Sequence, residues 1–324
     1  MRSLPIVLLF ILAAIGAGPS AAQGFKPGKP IELVVHTGPG GGNDVLARAI
    51  VAMVEKEKLL PVRMHVLNKP GGSGAAATAY MAEKKGDTHT LALFTSLWIA
   101  GPLISKESRM QFHEMTPIAR LMTDASMIAV KADSPYKTVT EFIDAAKKTP
   151  GKLKQAGGSI DARDNLVRFL LQRSTGASWT YIPFPAGSDR IAAVLGGHVD
   201  VYIPDIPEAK DYLRSGSLRM LAQLTERRMA AYPNVPTARE AGLSIPVVGS
   251  MRGVVGPPGI PWDVVEYWEN VFERMVKTAT WRKYLEDNHV DDGFQRGANL
   301  ARSAEEFIAQ RREIFKEAGI QTYR

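Results

Sequence analysis

One stretch of sequence decides the fold class. It reads IELVVHTGPGGGNDVLARAI and spans Ile31–Ile50. Its first six residues are mostly apolar and β-branched, which is typical of a buried strand. From Asp44 onward apolar residues recur at helical spacing, so that one helix face would carry Leu46, Ile50, Met53 and Val54. The glycine-rich join carries the chain directly from strand to helix. This strand–loop–helix unit is the building block of an α/β protein.

The alternation of strand and helix patterns continues along the chain and begins again near Ile118. Before the restart, strands are predicted at residues 31–36, 62–67 and 90–94, and helices at 44–58 and 74–84. After it, strand and helix patterns alternate up to residue 224, with a helix predicted at Val139–Lys148. The segment from 261 to about 319 is predicted to be helical almost throughout. Two such sets predict two α/β lobes with mainly parallel sheets rather than one large core.

The N-terminal segment predicts export. Arg2 precedes an apolar run from Leu4 to Ala14, and Ser20, Ala21 and Ala22 are small residues of the kind that signal peptidase reads. Residues 1–22 are therefore predicted to be a cleaved signal peptide. A membrane anchor is the alternative, but the apolar run is shorter than the roughly 20 residues that span a bilayer.

Composition narrows the class of protein. The chain has no cysteine, which rules out disulfides, thiol chemistry, cysteine metal ligands and a lipid anchor on cysteine. Its formal net charge is +7, but the basic residues alternate with acidic ones and form only short pairs. This pattern is typical of a solvated surface, so no nucleic-acid partner is predicted, although a mild positive field would attract anions.

The motifs of common enzymes are incomplete. The loop that starts at Gly38 has Asn43 where a dinucleotide fingerprint has its third glycine, and no P-loop lysine follows. The segment Gly71–Ala75 lacks the last glycine of a nucleophile elbow. The six histidines have no zinc spacing. The sequence therefore predicts no catalytic residue, no metal and no cofactor.

A loop-and-helix pattern that occurs in both halves of the chain indicates anion binding. Each half contains a glycine-rich loop followed by a helix with an aspartate and, four residues later, an arginine: Asp44 with Arg48, and Asp164 with Arg168. Helix starts present free N–H groups and a partial positive charge, and glycines let a ligand approach that backbone. Two such loops facing each other would hold a carboxylate. Alternatively, the aspartates cap their helices, in which case Asp44→Asn is expected to be mild because asparagine caps about as well.

Motifs along nearly all of the mature chain carry a family resemblance. The chain resembles the tripartite tricarboxylate transporter receptors, also called the Bug family of periplasmic solute-binding proteins. The segments that carry the likeness are Lys29–Arg48, Asn68–Gly74, Thr116–Leu121, Ser134–Thr138, Ala145–Leu153, Tyr181–Phe184, Gly196–Asp200, Pro233–Gly242 and Gly256–Pro261.

The resemblance implies a fold like that of type II periplasmic binding proteins, with two α/β lobes, a hinge and a ligand cleft between them. Residues 23–124 plus about 225–324 would form the first lobe, and about 125–224 the second. The protein would be a monomeric periplasmic receptor, without a lipid anchor, that captures a small carboxylated solute for the membrane components of a tripartite tricarboxylate-type transporter. The alternative is an exported sensing module that presents the bound carboxylate to a sensor kinase.

The resemblance also implies a binding site made largely of backbone and water. The residues carried over are Thr37, Gly40, Gly41, Gly42, Asn43, Asp44, Ser96 and Trp98 from the first lobe, and Gly158, Ser159, Asp164, Asn165, Ala186, Gly187, Ser188, Tyr202 and Asp205 from the second. Asn165 stands where a histidine is common in the family, and the segment Phe184–Asp189 departs from the family pattern. The ligand is therefore left open among aliphatic di- and tricarboxylates, aromatic acids and amino acids.

Overall fold

The structure, a computed structural model, describes residues 24–105, 110–158, 162–184, 186–317 and 319–323. The predicted signal peptide and Ser159 lie outside the described residues. The strands are β1 (Ile31–Val35), β2 (Met64–Asn68), β3 (Thr90–Thr95), β4 (Thr116–Asp124), β5 (Ser126–Lys131), β6 (Lys154–Gly157), β7 (Thr180–Pro183), β8 (Val201–Tyr202), β9 (Leu218–Leu224), β10 (Ser250–Gly256) and β11 (Asp291–Arg296). The α-helices are α1 (Gly42–Lys56), α2 (Ala75–Glu83), α3 (Ser96–Ile104), α4 (Val139–Lys148), α5 (Arg163–Thr175), α6 (Gly187–Leu195), α7 (Ile206–Arg214), α8 (Trp262–Val276), α9 (Ala279–Asn288) and α10 (Gly297–Glu317).

The strands form two separate sheets, which confirms the predicted fold class of two α/β lobes. The first sheet has the order β11-β4-β10-β3-β1-β2, and the second has the order β7-β6-β8-β5-β9. The chain passes from the first sheet to the second at Ala125, between β4 and β5, and it returns between β9 and β10. We refer to these two units as the first and second lobes.

The prediction of mainly parallel sheets is wrong. β1 pairs parallel with β2 and β3, and β6 pairs parallel with β7 and β8. β10 runs antiparallel to β3 and β4, β11 runs antiparallel to β4, and β5 runs antiparallel to β8 and β9. Each antiparallel pair contains at least one of the four strands that flank the two passages between lobes, β4, β5, β9 and β10. There the chain enters a sheet directly from the other lobe rather than through the helical crossover that parallel pairing needs.

The sequence patterns did not predict two of the strands, β10 and β11. β10 is central and fully buried, but it contains Arg252 and two glycines, which are depleted in strands. β11 interrupts the C-terminal segment that was predicted to be helical, and its sequence DDGFQR has a largely polar pattern because it lies at the edge of the first sheet. Tertiary pairing overrides local preference in both strands.

Helices cover both faces of each sheet. Leu33 and Val35 of β1 pack with α1 and α8 on one face, whereas Val34 packs with α2, α3 and α10 on the other. In the second lobe, Ile128 packs with α4 and α5, and Met127 packs with α6 and α7. Because side chains alternate along a strand, each central strand contributes to both layers.

The starts of α1 and α5 lie at corresponding places in the two lobes. Each helix follows the carboxyl end of a parallel strand, β1 for α1 and β6 for α5. In open α/β sheets, ligands bind outside the carboxyl ends of the strands. Helix α10 packs on the first lobe at its start and on the second lobe at Ile314 and Phe315. Within the described residues, none of the helices combines the length and apolar content needed to cross a membrane.

Candidate functional site

A cavity of about 450 Å³ lies between the two lobes. This volume is in the range of pockets that hold small molecules. The first lobe contributes His36, Thr37, Gly42, Asn43, Pro70, Gly71, Gly72, Ser73, Gly74, Thr95, Ser96, Leu97, Ser250 and Arg252. The second lobe contributes Gly158, Ala162, Arg163, Asp164, Pro183, Phe184, Arg190, Tyr202, Ile203, Asp205 and Glu208.

The structure brings about half of the sequence-predicted site residues to this cavity. Those that line it are Thr37, Gly42, Asn43, Ser96, Gly158, Asp164, Tyr202 and Asp205. Those that do not line it are Gly40, Gly41, Asp44, Trp98, Asn165, Ala186, Gly187 and Ser188.

The start of α1 faces the cavity with open hydrogen-bonding groups. Within the described residues, no side chain caps this helix start. Asn43 donates through Nδ2 to the carbonyl of Leu93 at 2.8 Å, which fixes the orientation of its amide. Its Oδ1, and Oγ1 of Thr37, are buried without a hydrogen-bond partner in the described part of the chain. Buried polar atoms without a partner are rare in native structures.

Trp98 lies behind the cavity wall and positions His36. Its Nε1 donates to Nδ1 of His36 at 2.9 Å. Because an indole N–H is only a donor, Nδ1 must be unprotonated and the neutral ring carries its proton on Nε2. Burial, together with the positive charge of Arg252, lowers the pKa of His36 to about 4. His36 is therefore a neutral donor at the cavity.

The half-buried His36 predicts a loss of stability in acid. The unfolded chain takes up a proton near pH 6.5, whereas the folded protein resists it until about pH 4. The free energy of unfolding is therefore expected to fall as the pH drops through this window, by up to about 3 kcal/mol from this group. Urea unfolding from pH 7 to pH 4 measures the slope. The slope of the unfolding free energy against pH should be flatter in His36→Gln. It should be unchanged in the control His113→Gln, because His113 is exposed. An unchanged slope in His36→Gln would mean that other groups cause the acid sensitivity.

Asp44 stabilises the glycine-rich loop Thr37–Asp44, which we call the first loop, and does not line the cavity. Its side chain is 2% exposed. It accepts hydrogen bonds from the backbone N–H of Gly40 at 3.0 Å, from Nε of Arg48 at 2.9 Å and from Nδ2 of Asn68 at 2.9 Å. Burial alone would raise the pKa of Asp44, but these hydrogen bonds outweigh it and hold the pKa below its ordinary value. Asp44 is a hub that joins the loop to its neighbours rather than a replaceable cap.

This geometry contradicts the mild effect that capping predicts for Asp44→Asn. Asparagine has one acceptor oxygen, so its amide N–H would face at least one of the three donors. Leaving a buried donor unsatisfied costs about 1–3 kcal/mol, and we expect Asp44→Asn to destabilise the protein by about that amount. Urea unfolding checks it, with Asp144→Asn on the exposed face of α4 as control. A loss below about 0.5 kcal/mol would restore the capping interpretation.

Gly187 lies against the first lobe and not in the cavity. A Cβ atom at Gly187 would lie 3.1 Å from the carbonyl oxygen of Gly40 and 3.2 Å from Cα of Gly41, and it would collide with Oε1 of Glu208. The start of α6 and the glycines of the first loop are therefore in direct contact across the cleft. This contact explains why Gly40, Gly41 and the residues beside Gly187 do not line the cavity.

The start of α5 is arranged differently from the predicted Asp–Arg pair. Oδ2 of Asp164 accepts from the backbone N–H of Gly158 and from the hydroxyl of Tyr181, both at 3.0 Å. Arg168 donates instead to Oδ1 of Asn165 at 2.8 Å. Asn165 is thus buried within the helix layer, away from the cavity. Asp164 faces the cavity, and burial raises its pKa against the opposing charge of Arg190.

Four charged side chains connect the lobes beside the cavity, and we name them the interlobe ring: Asp124, Arg163, Asp205 and Arg252. Nε of Arg252 lies 2.6 Å from Oδ2 of Asp124, and Nη1 of Arg163 lies 3.3 Å from Oδ1 of the same carboxylate. Both arginines also contact Asp205. Each arginine therefore bridges an aspartate from each lobe.

A second pair lies deeper in the second lobe. Nη2 of Arg190 contacts Oε1 of Glu208 at 2.5 Å, and both side chains are largely buried. Nε of Arg190 has no partner within the described residues. Among the described residues, no group of three or more His, Asp or Glu side chains is placed to hold a metal ion. The second-lobe wall is thus ionic, in contrast to the backbone-and-water site that the resemblance implies.

Sequence reasoning missed most of these ionic residues. Arg163 adjoins Asp164 at a predicted helix start, so its position was available as a signal. The turn Pro70–Gly74 was recognised as a motif but not assigned to the site. Arg252 could not be found, because its strand β10 was not predicted. Arg190 and Glu208 lie on helices whose cavity-facing side only the tertiary structure reveals.

Comparison with known proteins agrees with the fold and the resemblance. The sequence profile of the tripartite tricarboxylate transporter family receptors (TctC) matches residues 47–320. A Cupriavidus necator protein, named as a UPF0065 protein of the gbd 5′ region, is 30% identical over 311 residues, covering 95% of this chain and 94% of its own.

Two solved structures are similar over the same extent. An R. palustris protein solved with adipate has a TM-score of 0.86 at 24% identity, covering 91% of this chain and 99% of that one. MatC from Rhodopseudomonas palustris, solved with malate, has a TM-score of 0.81 at 25% identity, covering 89% and 99%. The family profile, the related protein and the two solved structures all match nearly the whole chain. The chain therefore belongs to the tripartite tricarboxylate transporter receptor family of solute-binding proteins.

Proposed function

We propose that this protein is a periplasmic receptor. It binds one small carboxylated organic solute between its lobes and delivers it unchanged to the membrane components of a tripartite tricarboxylate-type transporter. One observation carries the proposal: the starts of α1 and α5, which belong to different lobes, open onto the same cavity. Neither start is capped by a side chain of the described residues.

The chemistry of these helix starts suits a carboxylate. The first N–H groups of each helix lack an intrahelical acceptor and carry a partial positive charge. The ligand oxygens would satisfy these donors from both sides, and His36 adds a neutral donor. The malate bound to MatC supports a carboxylated ligand in this fold.

The polar side chains of the cavity support binding rather than catalysis. Oγ of Ser96 accepts from the backbone N–H of Met251 at 2.8 Å, and Nδ1 of His36 accepts from Trp98. Both oxygens of Asp205 are engaged by arginines. These groups hold each other in place, and a receptor that must release its ligand intact gains from such fixed donors.

A thermal-shift screen of the mature protein tests this function. The screen would contain di- and tricarboxylates, aromatic acids and amino acids, with amines and sugars as controls. We expect a subset of the acids alone to raise the melting temperature, with a stoichiometry of one. A ligand at a hundred times its dissociation constant should add about 2.7 kcal/mol of stability. The absence of any shift with acids, or a changed ligand after incubation, would contradict the proposal.

A further inference from the structure

The two lobes also meet at a place outside the cavity. Nζ of Lys210, in α7 of the second lobe, donates to the backbone carbonyl of Asp287 at 3.1 Å and to Oδ1 of Asn288 at 2.7 Å. Both acceptors lie at the end of α9 in the first lobe. Lys210, Asp287 and Asn288 do not line the cavity. The contact therefore joins the lobes without being within reach of a bound solute.

The end of α9 is arranged to accept a cation. The backbone N–H groups of the two residues after the helix donate to the carbonyls of the two residues before Asp287, which leaves the carbonyl of Asp287 for Lys210. Nδ2 of Asn288 donates to the carbonyl of Tyr284 at 2.7 Å, which directs Oδ1 of the same amide toward Lys210. The last carbonyls of a helix carry a partial negative charge that favours a cation. Lys210 thus caps a helix of the opposite lobe.

A contact between aromatic rings lies beside this cap. Tyr232 packs on the core of the second lobe, and its ring meets the ring of His289 edge to face, with the centroids 5.4 Å apart and an angle of 81° between the planes. His289 directly follows α9. We call these interactions of Lys210 and Tyr232 with residues Asp287–His289 the α7–α9 contact.

The position of the α7–α9 contact in the fold links it to hinge motion. On one face of the molecule the lobes are continuous, because α3 and α10 begin in the first lobe and their ends place Leu103, Ile314 and Phe315 in the core of the second. On the other face α9 packs with α1 and α8, and α7 packs with α6. The lobes also touch there between Gly40 and Gly187. A hinge motion that keeps the continuous face intact must therefore separate α7 from α9.

From this placement we propose that Lys210 is a positioning residue for solute capture. It stabilises the closed arrangement of the lobes and slows release of the solute without touching it. This inference rests on the proposed function and adds a determinant of affinity that lies outside the binding site. The apparent affinity of a receptor with two conformations is proportional to the population of the binding-competent one. A contact that exists only between closed lobes raises that population.

Calorimetry and stopped-flow kinetics on the mature protein test the inference, with the acid of largest thermal shift as the probe. Lys210→Met should raise the dissociation constant at least about threefold, because the charged cap is lost. Lys210→Glu places a negative charge at the end of α9 and should raise it at least about tenfold. Lys210→Arg keeps the charge and the donors and should stay within about twofold of wild type. The change should lie in the dissociation rate, because the closed complex reopens more often.

Lys283→Met is the matched control. Nζ of Lys283 binds Oδ1 of Asp287 at 2.9 Å within α9 itself. Its replacement therefore removes a lysine from the same helix end and leaves the α7–α9 contact in place. The dissociation constant and the dissociation rate of this variant should equal those of the wild type.

Spin labels measure closure directly, because the chain has no cysteine of its own. Ala52→Cys in α1 and Ala192→Cys in α6 place one label on each lobe, at exposed positions of the helices on the opening face. With the probe acid at saturation, pulsed electron paramagnetic resonance should give a single short distance in the labelled protein. The same labelled protein with Lys210→Glu should show a second population at a longer distance.

The outcomes separate this inference from the proposed function. Equal affinity and equal label distances with and without Lys210→Glu would overturn the inference and leave the proposed function intact. A loss of affinity that is also present in Lys210→Arg, or that is equal in Lys283→Met, would show that the lysine only supports the local fold and would overturn the inference too. If no acid binds the wild type, both fail.

Discussion

Gly187→Val is expected to lower ligand affinity at least a hundredfold in a protein that still folds. The valine side chain would occupy the space where Gly187 meets Gly40 and Gly41 of the opposite lobe. Within its own lobe the nearest atom it would meet is Oε1 at the far end of the Glu208 side chain, which can shift more easily than backbone. The variant can therefore fold as two lobes, but the lobes cannot approach to the distance that encloses the cavity.

Calorimetry with the acid that gives the largest thermal shift measures the loss, and circular dichroism checks the fold. Gly28→Val is the matched control, because a Cβ at Gly28 meets nothing within 4 Å. Small-angle scattering adds a direct readout: saturating ligand should reduce the radius of gyration of the wild type and leave that of Gly187→Val unchanged. Wild-type affinity in the folded variant would show that the cleft need not close at this contact.

Arg252→Met is expected to cost about 3–5 kcal/mol of unfolding free energy. Arg252 is 3% exposed, and the Asp124 side chain it contacts is fully buried. Without Arg252, the carboxylates of Asp124 and Asp205 share the single positive charge of Arg163, so one buried negative charge is left uncompensated, and this penalty is large. The loss should appear in urea unfolding as a lower midpoint at a similar slope.

Arg239→Met is the matched control for this substitution. Arg239 pairs with Glu226 at 3.1 Å, but both side chains are exposed, at 75% and 63%. Exposed pairs contribute about 0–1 kcal/mol, so the control should lose little. Similar losses in the two variants would mean that the interlobe ring is no more important to stability than a surface pair.

Local sequence patterns were sufficient for the elements that position the first loop. The predicted apolar face of α1 is buried, with Leu46, Ile50, Met53 and Val54 in the core. Both ends of α4 were predicted at Val139 and Lys148, and a capping box between Thr138 and Glu141 explains why its start is so well defined. In both helices the information lies within a few residues, where periodicity and capping act.

The ionic part of the site could not be predicted in this way. Arg163 and Asp124 are 39 residues apart, Arg252 and Asp205 are 47 apart, and Arg252 and Asp124 are 128 apart. In the local sequence each of these charges resembles an ordinary surface residue, and Asp205 was assigned to the site only through the family resemblance. Only the double passage of the chain between the sheets brings them together. The predicted pairing of Asp44 with Arg48 is confirmed, but the hydrogen bond to Asp44 from Asn68 could not be predicted, because Asn68 comes from another strand.

A structure of the complex with the tightest-binding acid tests the central claim most directly. The account predicts one ligand in the cavity, with its carboxylate oxygens about 2.7–3.2 Å from the backbone nitrogens of Gly42 and Asn43 and facing the start of α5. A ligand bound outside the cavity, or one whose carboxylate points away from both helix starts, would contradict it.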